Sequence, residues 1–518
     1  MEKLFKISDE QLIDYLLNGY LILNPKLPSD FNDAMYEAAC KLHDEAKVLS
    51  GNANHLHITG DNLRARIPII ERVLKSNMVH GALSGILGND YVLHPHHFVH
   101  ESNQQDQNFH QDATLPWNER GHYRTHRPNW AMLFYYPQDV TIACGPTEIL
   151  SGSQYTTKDY EKEDGSWSKN DYINTNHNPD CLYQKNLKKR DEYLKNVVKM
   201  LNVKGVKRKK LLVKSGSIVL CNYDIYHRGA RKTQDSISRR FMYKFWFFRR
   251  QDPVGPTWEN LIEHPFLKGS SIDGVVEYIW HWMRGNKNWA PKVIEKNQID
   301  LLREVTSDDL RIKLAYEIGF LARSKKNICD EIGQLLKDEK ETVRRSAGFA
   351  LGLTGQKGEK VFLEAIRNNN PSVRRVAVLG ASEARLTSAE AIESLFQCLE
   401  SDEDDLVRSN AAYALGNIAR VTKISSGRLI SRLDLNIEPD NSNNHGLKRS
   451  TIRENIAYAI NNMTLGEADL NKVAKIGLTD HDRYVRGLTL TTLERHAKQN
   501  CKIWLENLID HLSRFQYN

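Results

Sequence analysis

The sequence contains no uninterrupted apolar run of about eighteen residues, so nothing in it reads as a membrane span. Its first residues, Met1-Glu2-Lys3-Leu4-Phe5-Lys6, lack the apolar core and small-residue cleavage site of a secretory leader. Cysteine is scarce: seven residues (Cys40, Cys144, Cys181, Cys221, Cys329, Cys398, Cys501), odd in number, scattered, and without a Cys-x-x-Cys pair. That argues against a disulfide framework and a thiolate zinc site and for a reducing compartment, the cytoplasm by default. The most basic run, from Lys199 to Lys214, has no interleaved aromatics of the kind that stack on bases, so nucleic acid is a poor candidate partner.

What is present is ordinary for a globular protein: 518 residues, 40% hydrophobic and 26% charged, enough for two to four domains. The net charge of +7 is uneven, with 40 Lys+Arg against 34 Asp+Glu in residues 1–296 and 32 against 31 thereafter. Lys199, Lys204, Lys207, Arg208, Lys209, Lys210 and Lys214 supply much of the excess. Such a run fits a solvated loop or a surface that meets an anionic substrate.

The chain opens with helical signals. Ser8-Asp9-Glu10-Gln11 has capping-box spacing, Gly19 stops the helix, and Tyr20 to Leu23 reads as a strand. Pro28-Ser29-Asp30 opens a second helix, and Ile67 to Leu87 reads as a third that ends at Gly88. Extended segments follow: Tyr91 to His100, whose histidines (His94, His96, His97, His100) could bind metal but fit better a core strand with a polar face lining a cleft, then Trp130–Tyr136, Ser217–Cys221 and the aromatic stretch Phe241–Phe248. Strands parted by turns, with helices in front, predict an antiparallel sandwich or barrel.

Phe109-His110-Gln111-Asp112 sits among them. Side chains alternate along a strand, so His110 and Asp112 share a face, and an imidazole with a carboxylate is two thirds of the facial triad that holds ferrous iron. His227, after a strand and before a glycine-containing loop, is the candidate third ligand. Arg239 shares its face with Phe241, Tyr243, Phe245 and Phe247, whereas Arg240 shares its face with Lys244, so register predicts that Arg239 points inward to meet a carboxylate.

These residues resemble the phytanoyl-CoA dioxygenase family of Fe(II)- and 2-oxoglutarate-dependent oxygenases over about residues 8–250. The resemblance rests on the helix leading to Asn18-Gly19-Tyr20-Leu21-Ile22-Leu23, on His110-Gln111-Asp112, on Gly145-Pro146-Thr147-Glu148-Ile149-Leu150-Ser151-Gly152-Ser153, and on His227 followed by Arg239. It implies a double-stranded β-helix (jelly-roll, cupin-like) with flanking helices. Fe(II) would be held by His110, Asp112 and His227, with 2-oxoglutarate and O2 as co-substrates. Arg239 would bind the distal carboxylate of 2-oxoglutarate, with Arg240 as the fallback because the loop is one residue longer than usual. Ser151 and Gln154 stand where the family usually has Pro and His. A carboxylate at Asp112, where related halogenases have a small residue, favours hydroxylation or desaturation over halogenation.

Beyond about residue 297 an aliphatic residue followed by arginine recurs at Leu310-Arg311, Val343-Arg344, Val373-Arg374, Val407-Arg408, Ile452-Arg453 and Val485-Arg486. Small residues follow most pairs, as stacked helical pairs require, and an insertion around Ser425–His445 explains the one long step. The pattern resembles short HEAT-like repeats of the kind seen in bilin-lyase relatives, an all-α solenoid. Each arginine is expected to pair with acids of an adjacent turn. The di-iron hydroxylases built on such repeats carry His-Glu dipeptides, and none occurs after residue 297.

The expected organisation is therefore an oxygenase domain over 1–268 with a polar insertion at about 155–214 acting as a lid, an aromatic-rich connecting helix over 269–296, and the repeats over 297–518. The expected activity is oxidation of a C–H bond in a small, anionic molecule. The alternatives are a protein or carrier-bound substrate recruited by the repeats, and a non-catalytic scaffold.

Overall fold

The computed structural model describes residues 4–50, 63–102, 106–112, 125–156, 161, 163, 184–233, 239–267, 269–291, 298–438 and 450–496. Among the described residues, eight strands form two antiparallel sheets: β1 (Tyr20–Leu23), β2 (Tyr91–Glu101), β3 (Trp130–Tyr136), β4 (Thr147–Ser151), β5 (Lys207–Lys210), β6 (Ser217–Asn222), β7 (His227–Gly229) and β8 (Phe241–Arg249). The larger sheet has the order β1-β6-β3-β8-β2 and the smaller β5-β4-β7. Their inner faces meet directly, since Tyr136 of β3 donates its hydroxyl to Thr147 of β4 at 2.9 Å and Lys244 of β8 lies 3.2 Å from His227 of β7.

The outer face of the larger sheet is covered by helices. In α1 (Asp9–Asn18) the predicted capping box forms between Ser8 and Gln11, and Gly19 ends the helix at φ +81°. Helices α2 (Ser29–Ser50) and α3 (Asn77–Leu87) bury Met35, Ala39, Ala82 and Ile86 in the same layer. The single helix expected over Ile67–Leu87 is broken, with a 3-10 turn at Pro68–Ile70 and a short helix at Glu71–Leu74 before α3.

This double coverage decides the register of β8. Its aromatic face (Phe241, Tyr243, Phe245, Phe247) packs against the helices, while Met242, Trp246 and Phe248 face the smaller sheet and the repeats. When both faces of a strand are buried, alternation does not say which lines the cavity.

The polar insertion is described only in part. Its helix α4 spans Leu187–Met200 and β5 pairs with β4; of the lid expected within 155–214, residues 157–160, 162 and 164–183 lie outside the described residues. The connecting helix α5 (Asp273–Met283) buries Tyr278, Trp280 and Trp282. The insertion expected at Ser425–His445 contains a helix, Ser426–Arg432, and its later part is outside the described residues.

Each aliphatic-arginine pair lies on an inner helix of the repeats: α6 (Asp308–Ser324), α7 (Glu341–Gly352), α8 (Pro371–Ala384), α9 (Asp405–Ile418), α10 (Thr451–Asn461) and α11 (Arg483–His496). Successive inner helices pack closely; a Cβ at Gly416 would come within 2.8 Å of the Ala459 backbone. The aliphatic members are buried apart from Leu310, which is exposed. Three of the arginines link turns as expected: Arg374 makes a bidentate pair with Asp402 at 2.8 and 2.9 Å, Arg408 pairs with Glu438, and Arg453 with Asp480 at 2.8 and 3.1 Å. Arg311 instead pairs with Asp308 of its own helix, Arg344 with Glu161 of the polar insertion, and Arg486 donates to the Asp480 and His481 carbonyls.

The repeats pack on the sheets. Tyr458 of α10 stacks over Trp130 with ring centroids 5.6 Å apart, and the Tyr484 hydroxyl of α11 lies 2.7 Å from His96 Nδ1. Arg385 makes two 3.0 Å bonds to Asp252 just beyond β8. Glu161, from the polar insertion, is buried between Arg344 and Arg375. The sheets and the repeats thus share one continuous hydrophobic cluster.

Candidate metal centre

His110 and His227 are opposed across an antiparallel bridge. The His110 N–H donates to the His227 carbonyl at 3.0 Å and the His227 N–H to the His110 carbonyl at 2.9 Å, so both imidazoles project on one side. The segment around His110 is a single bridge and not the strand expected, yet Asp112 still returns to the same spot. Its Oδ1 lies 3.5 Å from His227 Nε2 and 3.9 Å from His110 Nε2. Donor atoms of all three residues fall within 4.8 Å of one another, the disposition a divalent ion needs. Each imidazole faces a backbone carbonyl through Nδ1, His110 toward Asn108 at 2.9 Å and His227 toward Ile225 at 3.2 Å. That contact places the Nδ1 proton and leaves Nε2 as the ligating atom. Burial lowers the pKa of both histidines, keeping them neutral as ligands require.

Lys244 enters the centre from β8, a residue that sequence reasoning assigned to solvent. Its ammonium is 2.6 Å from Asp112 Oδ2 and 3.2 Å from His227 Nε2, and the residue is 5% exposed. Burial alone would raise the pKa of Asp112; Lys244, then His227 and His110, pull it well below the usual carboxylate range. The two carboxylate oxygens are divided: Oδ1 faces the imidazoles and Oδ2 faces the ammonium. The donor set fits a ferrous ion on Oδ1.

Arg239 does not point inward. It forms ion pairs with Glu101 at 2.6 Å and Asp44 at 2.9 Å at the edge of the helical layer. Arg240 takes the inner face with Lys244. It is fully enclosed, its guanidinium donates twice to the Gly145 carbonyl at 3.0 and 2.7 Å, and no carboxylate pairs with it among the described residues. Desolvation lowers its pKa, the mark of a buried cation short of negative charge. The turn of Gly145 that presents this carbonyl has φ +78°, and a Cβ there would strike the Ala230 carbonyl at 2.4 Å. His100 of β2 senses both cations: burial, then Lys244, lower its pKa to about 3, with Asp112 opposing and Arg240 adding to the shift.

Behind His227, the Arg228 side chain is fully buried between Glu148 and Asp106, each at 2.8 Å. Arg208 of the basic run completes this network through a bidentate pair with Glu148 at 2.8 and 3.0 Å, so it is not available to a substrate. Ser151 and Gln154, the two departures from the family pattern, tie the β4 turn to α1; Gln154 donates to the Leu16 carbonyl at 2.9 Å. The missed residues were Lys244 and the Arg228 partner of Glu148. The alternation of β8 contained the signal for the first, once the aromatic face is assigned to the helices.

Comparison with known proteins adds the following. The family of HEAT repeats matches residues 359–426. No curated protein matches the chain. Among solved structures, the chain is similar to the non-heme alpha ketoglutarate dependent carbocyclase SnoK from nogalamycin biosynthesis, at 15% identity over 47% of this chain and 85% of that one, with a TM-score of 0.31. It is similar to EctD from S. alaskensis with 2-oxoglutarate and 5-hydroxyectoine, at 16% identity over 50% and 79%, with a TM-score of 0.33. It is also similar to iron-bound HygX from Streptomyces hygroscopicus, at 13% identity over 47% and 88%, with a TM-score of 0.30. The helical half contains HEAT repeats, and among the described residues no helix is long and apolar enough to cross a membrane.

Proposed function

We propose that the chain is an Fe(II)- and 2-oxoglutarate-dependent dioxygenase built on a double-stranded β-helix, oxidising a C–H bond of a small molecule. The observation that carries this reading is the convergence of His110, Asp112 and His227 donor atoms within 4.8 Å of one another. Two neutral imidazoles and one carboxylate suit ferrous iron and leave positions open for co-substrate and oxygen. Iron bound there supplies the redox chemistry that couples decarboxylation of 2-oxoglutarate by O2 to substrate oxidation, giving succinate, CO2 and, on hydroxylation, an alcohol.

The residues of the chain divide the remaining work. Arg240, buried and without a carboxylate partner among the described residues, is the group that binds the distal carboxylate of 2-oxoglutarate. Lys244 holds Asp112 Oδ2 and keeps Oδ1 toward the metal. Asp112 occupies the place that a chloride would need, which favours hydroxylation or desaturation over halogenation. The inner helices of the repeats lie against Trp130, Phe248 and His96, so the repeats serve as a wall of the oxygenase half, in support of a small-molecule substrate over one docked on the repeats. The exposed Lys207, Lys209 and Lys210 suit an anionic substrate. Free cysteines at Cys40, Cys144, Cys221, Cys329 and Cys398 accord with a cytoplasmic setting.

The test is anaerobic loading with Fe(II), followed by oxygen-dependent conversion of 2-oxoglutarate to succinate. The unaltered chain turns over, and Asp112→Ala and His227→Ala abolish turnover. A chain that binds no iron and makes no succinate with any of a broad substrate panel would be a scaffold instead.

A further inference from the structure

A second cluster of ligand-type side chains lies away from the triad. His264, in the segment after β8, and Glu277 and His281 on α5 bring donor atoms within 4.8 Å of one another. Glu277 and His281 are four residues apart on a helix, so α5 presents both on one face. His264 Nδ1 is 3.6 Å from Glu277 Oε1 and 3.2 Å from His281 Nε2. An ion held tetrahedrally at zinc's usual ~2.0–2.1 Å sets neighbouring donors about 3.3–3.4 Å apart. The two separations bracket that value.

The surroundings hold the donor side chains in place. His281 is buried and its ring is fixed by stacking on Trp289, with centroids 4.6 Å apart and planes 12° apart. The nearby cation, Arg284, is held aside by the Asn260 side chain at 3.1 Å and the Glu263 carbonyl at 2.9 Å. His264 is more than half exposed, which gives an ion a way in.

We propose that His264, Glu277 and His281 form a second divalent-metal site, best suited to zinc, with water in the fourth position. Two imidazoles and a carboxylate at these spacings match the zinc donor set, and zinc outcompetes ferrous iron and manganese at such sites. Bound there, the ion staples the segment after β8 to α5, the helix that leads into the repeats.

The experiment measures zinc content after dialysis in a chain with the first centre removed (His110→Ala, Asp112→Ala). That chain keeps a single equivalent of zinc, and cobalt(II) in its place shows the visible absorption of tetrahedral coordination. Adding His264→Ala, at an exposed position that leaves the fold intact by circular dichroism, removes both signals; Glu277→Gln weakens them. In the zinc-saturated unaltered chain, His264→Ala lowers the content by one equivalent, an answer that does not depend on the first substitutions being tolerated. No retained zinc in the first variant and no change on His264→Ala in the unaltered chain would overturn the proposal. None of these readouts depends on oxygenase activity.

Discussion

The Lys244 ammonium sits 2.6 Å from Asp112 Oδ2 and 3.2 Å from His227 Nε2, inside the cluster of candidate metal ligands. A buried ammonium is tolerated because the carboxylate neutralises it. A metal on His227 Nε2 must move the ammonium off that nitrogen, while Asp112 Oδ2 can keep it. Lys244→Met is therefore expected to act in two directions. The metal-free chain loses about 3 kcal/mol, the cost of taking the closest counter-ion from a buried carboxylate. Fe(II) binds more tightly because no cation has to be displaced. Thermal unfolding with and without Fe(II), together with a competition titration, reads both effects; weaker iron binding would contradict the displacement argument.

Arg240 and Arg239 are adjacent in sequence and opposite in environment. Loss of a charge-assisted contact of about 1.5–3 kcal/mol corresponds to roughly 10- to 100-fold in affinity. Arg240→Met should raise the KM for 2-oxoglutarate by that factor, with Arg240→Lys recovering part of the loss. Arg239→Met should leave KM within about twofold and cost no more than about 1 kcal/mol, because its pairs lie near the surface. Equal effects from the two substitutions would refute the assignment of the inner face.

Glu148 gives a stability profile with a definite sign. Burial would raise its pKa, but Arg228 and Arg208 hold it down at about 2 against an ordinary 4.5. A carboxyl with a depressed folded pKa contributes stability that is complete above the unfolded value and lost as pH falls through the folded one. Stability should therefore decline between about pH 4.5 and 2, by an amount on the order of 3 kcal/mol from this group. Urea unfolding across that range should show a smaller decline in Glu148→Gln, which is also less stable at pH 7. A parallel decline in both proteins would locate the acid sensitivity elsewhere.

The contact between sheets and repeats turns on Asp252. Its carboxylate accepts two 3.0 Å bonds from Arg385 and lies 3.9 Å from Arg420. Asp252→Asn is expected to cost about 3 kcal/mol, since it breaks a buried pair from one side. Trp130, covered by Tyr458 of the repeats, should then become accessible to a collisional quencher. Unchanged quenching at reduced stability would mean that the interface holds without this pair.

Much of the architecture could be read from residue order alone. The Ser8–Gln11 capping box, the Gly19 stop and the apolar runs at Trp130–Tyr136 and Ser217–Cys221 are local signals, and the elements they predict are present. The repeating aliphatic-arginine pair marked the inner helices because each repeat meets the same packing problem. The orientation of β8 was not legible, because it depends on which layers cover the sheet, and those layers come from distant segments.

The same division holds at the candidate metal centre. Sequence determined which residues are able to ligate: His110 and Asp112 by spacing, His227 by its place after a strand. Tertiary structure alone opposed His110 to His227 across a bridge, turned Lys244 and Arg240 inward, and sent Arg239 to Glu101 and Asp44. The physical reason is burial on both faces of β8. A lysine between aromatic residues looks bound for water until a carboxylate from 132 positions earlier in the sequence arrives to neutralise it.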